Sequence, residues 1–392
     1  MHVGLNSGFA NHAGIDDRQF MKEELDRIIL SEALGFESIW LTEHHFSDYA
    51  LSPNPLQWLT YIAGMTKTLR LATGVVVVPW RDPVRLAEEI AVLDHVSDGR
   101  AIIGFGRGLS RREYNGLRID QNKARALFDE IVPMVMEALE TSYIEGGEIF
   151  QQPRREIKPA PFRSLRGRAF CAAGTEASMR IAGRLGLGRL YLGQPNVAIT
   201  KPSFNPQTAG DGNKQETSNE VLPGSSSTPE DAWSTAFAEH HPGDTPPAPF
   251  VGSFVFVDES ADRAEEMARK YSEIMFRWIV KNYELTSDYS NVKGYESYNN
   301  IRLSEADIDA AAQASVHNAI YGTPQVVLEK LDEVCRIRQP QGLLPVLWSG
   351  GMTDNEANRN MRLFAEKCLR EVKSWPGALS TIDGPVALEA VA

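Results

Sequence analysis

Short, nearly uninterrupted apolar runs recur along the chain, separated by longer stretches in which apolar positions return with helical spacing. The first pattern suits a strand buried on both faces, the second an amphipathic helix. Strands are predicted over His2–Ser7, Phe36–Thr42, Leu69–Val78, Arg100–Phe105, Arg168–Ala173, Leu187–Gly193, Phe250–Val257 and Gly342–Trp348. Helices are expected between them, among them Asp17–Leu34, Leu56–Lys67, Pro83–Val96, Asn122–Thr141, Thr175–Leu185, Ser260–Tyr283 and Glu305–Tyr321. Gly35 can cap the first helix, and Pro83 suits a first helical turn. Eight strands alternating with helices over 392 residues predict an α/β fold, a single (β/α)8 TIM barrel rather than an open sheet.

Two stretches break the alternation. Residues 200–228, after the sixth strand, are polar and rich in Pro, Gly, Ser and Asn, which predicts a mobile surface insertion. Residues 284–302, after the seventh, are rich in Tyr, Asn and Ser and have almost no large aliphatic side chain to pin them. The barrel domain is expected over residues 1–375, with a tail over 376–392.

Composition narrows the function classes. A formal net charge of -12 argues against nonspecific nucleic-acid binding, which needs a basic face. No apolar run is long enough to span a membrane, and the first residues do not read as a secretory signal. Cys171, Cys335 and Cys368 are isolated, as reduced thiols in a cytoplasmic protein would be.

In a β/α barrel the chemistry sits at the C-terminal ends of the strands. There the sequence places Glu43-His44-His45, Thr73–Val76, the run Gly104–Gly108 (GFGRG) and Gly174-Thr175-Glu176-Ala177-Ser178. A glycine followed by Thr and Ser at a helix start exposes unpaired N–H groups, which is a phosphate site or simply an N-cap without ligand. Arg107 and Arg125 could supply charge for the former. The pair His44-His45 invites a metal, but adjacent strand residues point to opposite faces, so one histidine in acid–base chemistry is the better reading.

These residues carry a resemblance. Gly35–Pro55 (GFESIWLTEHHFSDYALSPNP) resembles the second-strand signature of bacterial luciferase, Leu69–Leu117 continues the match, and Ala172–Gly186 (AAGTEASMRIAGRLG) is similar to that family's phosphate-binding turn. The resemblance implies a flavin-dependent monooxygenase. Reduced FMN, delivered by a separate flavin reductase, would react with O₂ to give a 4a-hydroperoxyflavin that oxygenates a small organic substrate. Hydroxylation and Baeyer–Villiger insertion both stay open. By position, His44 is the catalytic histidine, and Arg107, Arg125, Thr175 and Ser178 hold the FMN phosphate. Glu43, Gly74, Val75, Gly106 and Gly174 complete the cofactor site, and Gly74–Val75 matches a bond that is cis in the family. His45, Phe46, Trp80 and Trp348 are the candidate substrate wall.

Residues 284–302 occupy the place of the family's mobile active-site lid. Helices Leu56–Lys67 and Pro83–Val96 resemble its dimerisation pair, the second with a stripe of Leu86, Ile90, Leu93 and Val96, so a homodimer is expected. Two departures weaken any expectation of light emission: Gly106 stands where luciferase has a flavin-adjacent cysteine, and the insertion is not part of its pattern. Two other readings share the fold, a deazaflavin-dependent oxidoreductase and a flavin-binding protein that has lost catalysis.

Overall fold

The computed structural model describes residues 1–192 and 228–382. The predicted insertion, apart from Thr228, and the last residues of the tail lie outside the described residues.

The eight predicted strands form the wall. They are β1 (His2–Val3 and Leu5–Ser7), β2 (Ser38–Leu41), β3 (Arg70–Val77), β4 (Ala101–Gly106), β5 (Ala169–Cys171), β6 (Gly188–Leu192), β7 (Phe250–Val257) and β8 (Gly342–Val346). Each pairs in parallel with its sequence neighbours, as connections through crossover helices require. The first half of β1 pairs with β8, the second half with β2, and only Gly4 separates them, so the sheet returns on itself.

Inside, β2 to β8 each contribute one inward residue to a dry plug: Trp40, Ala72, Ile102, Phe170, Leu190, Phe250 and Leu344. The rings of Trp40 and Phe170 lie 4.8 and 5.0 Å from that of Phe250. This layer closes the bottom of the barrel, and the main cavity lies above it at the C-terminal ends of the strands. Gly74, two residues beyond Ala72 on β3, lines that space.

Local signals account for the helices that flank the site. Asp16 caps Asp17–Ala33 by accepting from Gln19 N–H, and Gly35 takes a φ of 92° just beyond it. Asp82 caps Pro83–Val96. The stripe on that helix is divided: Leu86, Ile90 and Leu93 are buried against the barrel, and Val96 is exposed. Val92 and Val96, with Tyr61 and Met65, form the exposed apolar residues of this helix pair.

Three expectations are corrected. The helix expected over Glu305–Tyr321 ends early: Ile308–Ala314 is helical, and Ala319–Gly322 is a strand on the far edge of β7. Its Ile-Tyr pair finds a partner in tertiary structure that local pattern did not foretell. An antiparallel hairpin, Tyr143–Gly146 with Gln152–Glu156, was not foreseen because its strands are mostly exposed and polar. Residues 284–302 are also better anchored than their lack of aliphatic side chains suggested. Leu285, Tyr289 and Tyr295 are buried, and the tyrosine rings provide the apolar surface.

Candidate functional site

A cavity of about 740 Å³ opens at the C-terminal ends of the strands; β1, β3, β4, β6, β7 and β8 contribute residues to its wall, and Thr42 and Ala172, just beyond β2 and β5, stand beside them. Its size suits a cofactor-sized ligand with room for a second small molecule. Among the predicted site residues, Glu43, His44, Gly74, Val75, Trp80, Gly106, Arg107, Gly174, Thr175, Ser178 and Trp348 line it.

One corner is built for an anion. Thr175 is the N-cap of the helix Glu176–Arg184, and its hydroxyl oxygen accepts from Ser178 N–H at 3.3 Å. Arg125 does not line the cavity, but its Nη2 donates to Ser178 Oγ at 2.7 Å and brings positive charge to the helix start. Nothing lies within 4 Å of where a Cβ on Gly174 would sit, so this turn faces open space. Arg107 donates through Nη2 to the Gly294 carbonyl at 2.8 Å and stacks over the Tyr295 ring at 4.1 Å. Its Nη1 is buried and has no partner, a cost that a bound anion would remove. Behind this corner Cys171 is buried, which pushes its thiol up to about 12 and keeps it neutral.

The middle of the cavity is shaped by backbone. Gly74–Val75 is a cis peptide bond. A Cβ on Gly106 would come within 2.2 Å of Val75 Cγ2, so Gly106 and Val75 fit each other, and a larger residue at 106 would displace the Val75 side chain. Glu43 acts on this wall from behind. Its carboxylate accepts from Val77 N–H at 2.8 Å and from Arg81 at 2.7 Å, fixing the end of β3.

Beside this wall stands His44. Its Nδ1 is 3.0 Å from Glu113 Oε1, and the same oxygen accepts from His45 N–H at 2.8 Å. The ring of Tyr49 packs edge-on at 4.7 Å, and the hydroxyl of Tyr283 lies 3.3 Å from Nε2. Burial, the main cause in both tyrosines, raises Tyr49 to about 12 and Tyr283 well above its ordinary value of 10. Both stay neutral. Between a carboxylate and a hydroxyl, the imidazole can hold or pass a proton.

The candidate substrate wall is only partly assembled. Trp80 and Trp348 line the cavity, the latter donating through Nε1 to the buried Glu24 at 3.0 Å. His45 and Phe46 instead line an adjoining outer hollow of about 410 Å³, where Phe46 is 51% exposed. The chain has left the strand here: Thr42, Glu43 and His44 all line the cavity, and the loop then turns outward, with Phe46 at a φ of 61°.

Sequence reasoning missed Glu113, Tyr49 and Tyr283. For Glu113 a signal existed. Ser110 and Glu113 have the spacing of a helix-start motif, and Ser110 does cap the helix Arg111–Leu117 by accepting from Glu113 N–H. The tyrosines had none. Among the described residues, no three His, Cys, Asp or Glu side chains come together as a metal site, and no helix is long and apolar enough to cross a membrane.

Residues 1–201 match the sequence profile of the family described as luciferase-like monooxygenase. The oxygenase component of a flavin-dependent trigonelline monooxygenase from Acinetobacter baylyi is 30% identical over 207 residues, 50% of this chain and 58% of that one. The chain spans about half the length of the curated relatives it matches. Among solved structures, the monooxygenase RslO1 from Streptomyces bottropensis superposes with a TM-score of 0.72 at 24% identity, covering 95% of this chain and all (100%) of that one. The oxygenating constituent of 3,6-diketocamphane monooxygenase from Pseudomonas putida, a Baeyer–Villiger enzyme in complex with FMN, gives 0.68 at 17% identity, covering 95% and 98%. At these identities the structures speak for the fold alone, and coenzyme F420-dependent enzymes share it too.

Proposed function

The chain belongs to the luciferase-like monooxygenase family, and from that premise we propose that it is the FMN-dependent oxygenase of a two-component system. One observation carries this reading: an anion corner with an unpartnered arginine N–H and a carboxylate-held imidazole share the walls of a single cavity. Thr175, Ser178, Arg125 and Arg107 would hold the FMN phosphate, with Gly74, Val75 and Gly106 bordering its ring system. FMN, bound in its reduced form, supplies the electrons that activate O₂.

The chain's own residues do the rest. Glu113 fixes the orientation of the His44 ring, and His44 takes up or returns a proton at Nε2. The barrel plug and the largely apolar upper wall keep water from the reacting centre. Residues 284–302, anchored by buried tyrosines beside Arg107, serve as the cover. Reduced FMN comes from a transient flavin reductase partner, in keeping with the name of the trigonelline relative as an oxygenase component. Trp80 and Trp348 face the organic substrate.

The test is to incubate the purified chain with reduced FMN and ¹⁸O₂ against a panel of ketones, aldehydes and aromatic compounds. A product carrying one labelled oxygen supports the proposal. Turnover with a reduced deazaflavin in the absence of O₂ would replace it with the deazaflavin-dependent oxidoreductase reading. Tight FMN binding without any product would favour a flavoprotein that has lost catalysis.

A further inference from the structure

The two nitrogens of the His44 ring have different neighbours. Nδ1 faces Glu113 Oε1 at 3.0 Å, and an ionised carboxylate can only accept, so Nδ1 carries a proton. In the neutral ring the lone pair is then on Nε2. The atom facing it is the Tyr283 hydroxyl at 3.3 Å, whose single proton has two acceptors in reach, Nε2 and the Tyr49 hydroxyl; in the pairing with the imidazole it is the donor. That length is long for a hydrogen bond and ordinary for an acid–base pair before a ligand tightens it.

The two residues also differ in what they border. Tyr283 lines the inner cavity, and His44 lines both that cavity and the outer hollow. The groups around the imidazole are Glu113, Tyr49 and Tyr283, and the outer hollow adds His45, Asp48, Arg112 and Lys281. The ring is thus a partition between a mostly apolar chamber and a charged, open one.

Tyr283 is held by the segment that follows it. It caps the helix Ala261–Asn282, and its carbonyl accepts from the hydroxyl of Tyr289 at 2.8 Å. Tyr289 is buried under the guanidinium of Arg111, 4.5 Å from its ring, and Arg111 also donates to the Asp288 carbonyl at 2.6 Å.

We propose that Tyr283 is a catalytic residue that completes a proton path, Tyr283 to His44 to the outer hollow, and that residues 284–302 set it in place. The proposal rests on His44 being the acid–base group of the oxygenase. The step balances simply. A ligand gives a proton to Tyr283 Oη as the Tyr283 proton passes to His44 Nε2, and the imidazolium charge is offset by the Glu113 carboxylate. Loss of one proton to the solvent of the outer hollow neutralises the ring, and return of the remaining proton to Nδ1, which faces Glu113, resets the Nε2 lone pair; the reverse sequence delivers a proton inward. When the segment withdraws, Tyr283 loses its tether and the path is broken, so protons move only in the closed site.

Two variants test this, Tyr283→Phe and Tyr289→Phe, with ¹⁵N spectra of the histidine side chains in the flavin-free protein. In Tyr283→Phe the His44 Nε2 resonance should move toward that of a free lone pair while Nδ1–H is retained. Tyr289→Phe, which leaves the Tyr283 hydroxyl intact, should give a smaller shift in the same direction. In the reduced, loaded enzyme Tyr283→Phe should lower kcat about 10- to 100-fold with KM and FMN affinity nearly unchanged. An unmoved Nε2 resonance in Tyr283→Phe, or an unmoved kcat, overturns the proposal. The spectra need neither flavin nor substrate, so they decide the contact separately. Absence of oxygenation in the wild type as well would count against the oxygenase reading instead.

Discussion

Replacing Arg107 by alanine separates two jobs that one guanidinium holds. The side chain contributes a hydrogen bond to the Gly294 carbonyl at 2.8 Å, a stacking contact with Tyr295 at 4.1 Å, and a buried Nη1 without partner. Only the last is free for a ligand. A charge-assisted hydrogen bond from it to a phosphate is worth roughly 1.5–3 kcal/mol, and 1.4 kcal/mol is tenfold in affinity. Arg107→Ala should therefore weaken FMN binding about 10- to 100-fold. Riboflavin, the same ring without the phosphate, should feel only the loosened segment. Loss of a cation–π contact of about 0.5–1 kcal/mol would weaken it by roughly two- to fivefold. Fluorescence titration of both flavins against both proteins measures the difference. Equal losses for FMN and riboflavin would mean that Arg107 acts through residues 284–302 and not on the phosphate, and an unchanged FMN affinity would refute the anion corner.

Other consequences follow from the same geometry. His44→Ala should leave FMN binding nearly intact and cut oxygenation about 10²–10⁴-fold, measured with any substrate the panel yields; a larger effect of His45→Ala would reverse the roles. Tyr295→Ala, which removes a buried ring between Arg107 and Tyr114, should raise the ratio of peroxide released to product formed, and an unchanged ratio would deny residues 284–302 a covering role. The exposed Tyr61, Met65, Val92 and Val96 predict a homodimer that Val96→Asp weakens in sedimentation, whereas a wild-type monomer at micromolar concentration would contradict it. His12 is lowered from 6.5 to about 4 by burial, beside Trp278 at a ring distance of 4.9 Å. The unfolded chain then binds a proton between those values that the folded chain does not. Stability should fall by up to about 3 kcal/mol as pH drops from above 6.5 toward 4, and His12→Gln should flatten that slope in denaturant melts.

The legible part of this protein is the part in which one element's chemistry suffices. All eight wall strands were apparent because a strand buried on both faces must be apolar throughout, and the N-cap at Thr175 was apparent because helix starts need an oxygen there. Arg107, Arg125 and the His44-His45 pair were candidates from their places at strand and helix ends, the resemblance assigned their roles, and the fold brings Arg125 to Ser178 from a different helix. Contacts that join remote segments were not legible. Glu113 reaches His44 across 69 residues and Tyr283 across 239. The polar hairpin and the Ala319–Gly322 strand were lost for a related reason, since their pairing and not their own pattern makes them strands. The tyrosine-rich stretch was misjudged because aromatic rings bury as much surface as aliphatic side chains while reading as polar.

That stretch joins the two halves of the site. Its first turn is fixed by Tyr289 on the Tyr283 carbonyl, and its middle is fixed by Arg107 on the Gly294 carbonyl and by the Tyr295 hydroxyl on the Gly108 carbonyl. An anion that engages Arg107 Nη1 would immobilise the guanidinium and favour the arrangement in which Tyr283 faces His44. Linkage makes the effect reciprocal: whatever factor the anion adds to closure, closure adds to the affinity for the anion. A flavin lacking its phosphate should therefore bind more weakly and also leave residues 284–302 less protected against hydrogen exchange than FMN does; in Arg107→Ala the affinity difference should shrink and the exchange difference should disappear. If the exchange difference survived in that variant, the phosphate and the cover would be independent, and the anion corner would serve affinity alone.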